Sequence, residues 1–185
     1  LRLPSRRVSW PFMADPAHPL TLWLARACVG FYVLALLISV CDRDSTPTRF
    51  KFWRAVWSAA CLLLIVHVLA AFHFEHGWSH AAALKHTAEQ TARVTGIDWG
   101  GGLYFNYAFL ILWALDVGVL WRSPVSGRSS LRRTADLACL FMIFNATVVF
   151  GPTWWIGPVA VVGLIVILLR RRASVSGAAG QTSKS

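Results

Sequence analysis

Five of the six histidines lie between His67 and His86, in the run HVLAAFHFEHGWSHAAALKH. His73, His76 and His80 are spaced by three and four, so one unbroken helix would carry all three on a single face. Glu75 adjoins His76, and Glu89 follows His86 by three. Imidazole and carboxylate together suit a transition metal such as Zn, Fe or Cu. The candidate ligands are therefore His73, Glu75, His76 and His80. Imidazole also titrates near neutral pH, which gives the same cluster a pH-responsive reading. Gly77 and Ser79 work against the unbroken helix. Ser79 reads as the N-cap of a second helix, Ala81 to Thr95, with Gly96 as its stop. His80 and His86 then ride on a short amphipathic helix with His80, Leu84, Thr87, Thr91 and Val94 on one stripe. Histidines packed against lipid headgroups are the competing reading.

Specific metal motifs are not met. The order His73-Phe74-Glu75-His76 is not the H-E-x-x-H of zinc proteases. The paired histidine boxes of membrane hydroxylases and desaturases are missing too. A bis-histidine haem needs histidines on two spans, whereas His67 and His73 share one. Its second axial ligand would have to be His18 or a histidine of the following loop. No nucleophile–base pair is recognisable, so the residues assign no reaction.

Other polar groups fall inside apolar stretches, where an ionisable side chain is costly and is a functional candidate by default. Arg26, His67, Asn106, Tyr107 and Asn145 all sit within roughly 5–11 Å of one boundary, at ~1.5 Å per residue. They are expected to share one polar pocket, with Arg26, His67 and Asn145 at its centre. Asp116 stands alone in the opposite half of its stretch. Arg54 or Arg133 is expected to reach it as a structural ion pair, and an intramembrane proton-relay carboxylate is the alternative. Asp136 with Arg132 and Arg133 reads as ordinary interfacial charge. Gly100-Gly101-Gly102 opens a helix and permits close approach of another backbone.

The elements that must position these groups are membrane helices. The chain has 185 residues, 56% hydrophobic and only 14% charged, where a soluble domain carries about 25% charged residues. Disorder, collagen and a disulfide scaffold are excluded. Apolar blocks run over 20–41, 53–74, 103–121, 131–150 and 153–169, each near the ~20 residues that cross a bilayer. Gly151-Pro152 separates the last two. The expected fold is all-α: an integral membrane bundle of about five transmembrane helices over 20–172, with a short outer amphipathic helix at 81–95. A basic, aromatic segment, 1–19, precedes it, and a disordered tail, 173–185, follows.

The net charge is +10. The basic residues flank apolar blocks, so they anchor and orient the chain, and a nucleic-acid partner is not expected. Twelve Lys and Arg fall in the first and third connections and the tail, against five on the opposite side, which puts the N-terminus outside and the C-terminus in the cytoplasm. Cys28, Cys41, Cys61 and Cys139 form no C-x-x-C pair and read as free buried thiols.

The strings His76-Gly77-Trp78-Ser79-His80 and Gly100-Gly101-Gly102-Leu103-Tyr104-Phe105-Asn106-Tyr107 resemble those of a group of uncharacterised small polytopic bacterial membrane proteins. The resemblance spans about Phe72 to Trp121 and extends to Phe144-Asn145-Ala146-Thr147. It implies a membrane location, here the bacterial inner membrane, and nothing about chemistry. The leading functional expectation is a redox-linked membrane subunit that binds a transition metal or haem at the outer histidines. A non-catalytic accessory or assembly protein is the alternative, and a small proton-coupled transporter using Arg26, His67 and Asp116 is a third. The bilayer is the expected partner, along with other membrane subunits.

Overall fold

The computed structural model describes residues 18–41, 46–122, 130–150, 156–157, 160–165 and 168. Among these there is no strand. Five α-helices follow in order: α1 (Pro19–Cys41), α2 (Pro47–Phe74), α3 (His80–Thr95), α4 (Gly102–Arg122) and α5 (Ser130–Phe144). A π-helical turn, Asn145–Val149, continues α5 without a break. Among the described residues three helices, α1, α2 and α4, are long and apolar enough to cross a membrane. Of the fifth apolar block, 156–157, 160–165 and 168 are helical. The rest of that block, the N-terminal segment before residue 18 and the tail lie outside the described residues.

α2 begins six residues before the apolar run at Trp53. Thr46 caps it, its hydroxyl accepting from the Arg49 N–H at 3.4 Å, and Pro47 occupies the first helical turn, where its missing N–H costs nothing. Arg49, Lys51 and Arg54 therefore ride on the first turns of α2 rather than in a loop. At the other end Gly77 (φ 53°) and Trp78 (φ 61°) take left-handed backbone. The Trp78 N–H reaches back to the Phe72 carbonyl at 2.8 Å. The helix is thus closed off between His76 and His80. α3 starts one turn later, with the Ser79 hydroxyl accepting from the Ala82 N–H at 3.2 Å and Gly96 (φ 76°) as its left-handed stop.

α1 and α2 share the most extensive interface. Thr21 meets His67 and Cys28 meets Ala60, so the two run antiparallel. α2 is antiparallel to α4, as the pairs Trp57–Asp116 and Phe72–Tyr107 require. α5 packs on α4, and α3 folds back over the start of α4. The glycines make that last contact possible. A Cβ on Gly100 would stand 2.6 Å from the Leu84 carbonyl oxygen, and one on Gly102 would stand 3.3 Å from the Thr87 methyl.

The bundle is held by small residues and rings. Cys28, Ala35, Ala60, Cys61, Ala135 and Cys139 are buried, together with Tyr32, Trp57, Phe109 and Trp113. Small side chains let helix backbones approach closely, which is how helices associate in lipid. The large aliphatic residues point the other way: Leu62, Val66 and Leu69 on α2 and Ile111, Leu115 and Val119 on α4 are exposed. An apolar exterior of this extent suits hydrocarbon rather than water.

Candidate functional site

The polar groups gather at two levels. The first is a buried knot toward the basic end of the bundle. Asp116 of α4 is only 3% exposed. Its Oδ2 accepts from the Trp57 indole N–H at 3.0 Å and from an Arg132 terminal nitrogen at 2.8 Å. The Arg132 guanidinium lies 3.6 Å from the Trp57 ring centroid and 4.2 Å from that of Trp53. Its Nε is 3.6 Å from Asp136 Oδ2. The Tyr32 hydroxyl donates to the Asp136 carbonyl at 3.5 Å, which ties α1 to α5. Four helices thus meet around one carboxylate and one guanidinium. A buried charge is tolerable when paired and hydrogen-bonded, and here both conditions hold.

The cation that reaches Asp116 is Arg132, where Arg54 or Arg133 was expected. The reason is the rotation of α5. Arg132, Ala135, Asp136 and Cys139 share the face turned into the bundle, while Arg133 is exposed. Arg54 instead lays its guanidinium 4.0 Å from the Trp121 ring centroid. The 132, 135, 136, 139 spacing, with two small residues among the charges, was the available signal. Trp57 carried none, because an indole donor in an apolar helix resembles any belt tryptophan.

The second level is the histidine end. His67 Nδ1–H donates to the Thr21 carbonyl at 3.0 Å, joining α2 to α1. His18 stacks on Phe74 at 4.0 Å. The Trp78 indole N–H donates to His73 Nδ1 at 3.2 Å. His80 Nδ1 is 3.2 Å from the Tyr107 hydroxyl, a bond that fastens α3 to α4. The His76 and His86 rings lie 5.3 Å apart, and the Gln90 amide donates to His86 Nε2 at 2.8 Å. Burial pushes the His76 imidazole below its usual value, His86 adds to the effect, and Glu75 opposes it.

Among the described residues, no three His, Cys, Asp or Glu side chains come together as a metal site. His73, Glu75, His76 and His80 are therefore not assembled as a ligand set. The break at Gly77-Trp78 is the cause, since it sends His73 toward Trp78 and His80 toward Tyr107. Glu75 Oε1 is buried without a hydrogen-bond partner among the described residues.

The residues expected to share a polar pocket have separate surroundings. Arg26 is exposed, 5.0 Å from the Trp23 ring centroid on its own helix. Asn145 donates to the Phe141 carbonyl of its own helix at 2.8 Å. Asn106 is exposed. No hydrogen bond or ring contact joins Arg26, His67 and Asn145 among the described residues. Tyr107 belongs with His80 and Phe72.

No protein-family model, curated protein or solved structure matches the chain.

Proposed function

We propose that the chain is a multi-pass integral membrane protein of the accessory or assembly kind, non-catalytic, whose polar side chains fasten its helices to one another. One observation carries this reading: Asp116, His67 and Arg54, three ionisable groups inside the apolar helices, are spent on neighbouring helices, while Arg26 lies against Trp23 of its own helix. Asp116 binds Trp57 of α2 and Arg132 of α5, His67 binds α1, and Arg54 covers Trp121 of α4. A carboxylate serving proton transfer or substrate would keep an open approach, whereas Asp116 is enclosed.

In this reading the protein crosses five times, through α1, α2, α4, α5 with its π turn, and the block 153–169. Arg49, Lys51 and Arg54 of α2, Arg122 of α4 and Arg132 and Arg133 of α5 gather at one end, which supports a cytoplasmic placement of that end in a bacterial inner membrane. Partners would be other membrane subunits. The metal- or haem-binding reading has weaker support, because its candidate ligands are engaged separately.

The test is native electrophoresis of gently solubilised membranes, with absorbance and elemental analysis of the purified protein. The chain should migrate in a complex larger than itself whose assembly fails on deletion of the chain. A stoichiometric metal or haem in the purified protein would overturn the proposal.

A further inference from the structure

Arg54 carries an unbalanced charge at the basic end of the bundle. It lies on α2 at the basic end, half-buried, with its guanidinium over the Trp121 ring. Its Nε is buried and has no hydrogen-bond partner among the described residues. Among the described residues no carboxylate pairs with it. The nearby acids are already committed: Asp116 and Asp136 both face Arg132. The surroundings add positive charge. Lys51 lies one turn earlier on the same helix, and Arg122 follows Trp121 directly; both are exposed. The position of the ring is itself secured, because the Trp121 indole N–H donates to the Ser58 hydroxyl at 2.9 Å and that hydroxyl donates to the Arg54 carbonyl at 2.8 Å. A guanidinium held 4.0 Å from a pinned indole is a cation fixed in place, and its terminal nitrogens are donors of the kind that suit a phosphate.

We propose that the end of the α2–α4 interface around Arg54 binds the phosphate of an anionic phospholipid headgroup. The acyl chains would run along the exposed apolar faces of α2 and α4, where Leu62 and Leu115 stand. A lipid is the fitting occupant because the cation lies within a few turns of the ends of two helices long and apolar enough to span a bilayer. Basic pockets between such helices on the cytoplasmic side are where anionic headgroups collect. Trp121, half exposed beside the cation, suits the same level. The proposal is independent of whether the protein has an accessory role.

The test is native mass spectrometry of the full chain in detergent, titrated with phosphatidylglycerol, phosphatidylcholine or inorganic phosphate. Wild type should retain one phosphatidylglycerol in preference to phosphatidylcholine. Arg54→Gln should weaken that binding about tenfold, the loss expected for a charge-assisted contact. Arg54→Lys keeps the charge without the fork and should fall between the two. Equal retention of both lipids by wild type, which needs no variant to fold, would overturn the proposal. So would unchanged phosphatidylglycerol binding in Arg54→Gln. Inorganic phosphate that displaces the lipid at comparable concentration would assign the site to free anions instead.

Discussion

Replacing Asp116 by leucine leaves the Arg132 guanidinium, whose side chain is 12% exposed, with Asp136 at 3.6 Å as its remaining acid among the described residues. It also removes the acceptor of the Trp57 indole, a residue 1% exposed. Breaking a buried ion pair from one side costs about 3–5 kcal/mol. Replacing Arg132 by methionine should cost a similar amount, because it strands the carboxylate. If the two losses were independent, the double variant would lose roughly 6–10 kcal/mol. The geometry predicts much less. With both charges gone, the main residual penalty is the unpaired Trp57 N–H, about 1–3 kcal/mol, because Asp136, which also loses Arg132, is 39% exposed. Methionine sulfur against the Trp53 and Trp57 rings offsets part of the lost cation–π contact. Asp116→Leu/Arg132→Met should therefore be more stable than either single variant. Equilibrium unfolding in mild detergent, followed by circular dichroism, gives all four corners of the cycle. Additivity within about 0.5 kcal/mol would refute the coupling and with it the structural role given to this pair.

Three further outcomes are expected. Gly100→Ala puts a Cβ 2.6 Å from the Leu84 carbonyl oxygen and should lift α3 from α4, a cost of about 1–3 kcal/mol read as faster amide exchange across 80–95. Burial lowers the affinity of His76 for a proton in the folded state, so no stability depends on it above about pH 6.5, where both states are neutral. As pH falls below that value the undocked form takes the proton first, and the α2–α3 cap should loosen until His76 itself protonates. Exchange of 76–95, corrected for intrinsic rates, should rise between pH 7 and 5, and His86→Asn should reduce the rise; a flat profile contradicts it. For topology, a cysteine placed at Gln90 in a cysteine-free background should react with an impermeant thiol reagent from outside, and one at Gly127 only after lysis. The reverse pattern would invert the orientation.

Much of the fold is legible in local sequence because its causes are local. A run of apolar residues long enough to cross a bilayer makes a helix whatever surrounds it, since its backbone must satisfy itself. Ser79 and Gly96 bound α3 through bonds that span three or four residues. The start of α2 was harder to see. Hydropathy alone began it at Trp53, while Thr46 and Pro47 carried the capping signal that extends it through the basic residues.

The polar contacts belong to another level. A step of one residue turns a helical side chain by about 100°, so residues 132 and 133 are equivalent in composition and opposite in consequence. Only the packing of α5 on α4 decides that Arg132 meets Asp116. The histidines follow the same logic. Their types and spacing stand in the sequence, but the left-handed turn at Gly77-Trp78 parts His73 from His80 and sends them to Trp78 and Tyr107. By itself the sequence determined that the chain is built from apolar helices with a basic end and a histidine-rich end. The tertiary structure decided which groups at each end touch, because contact depends on rotation and register between helices that local propensity does not encode.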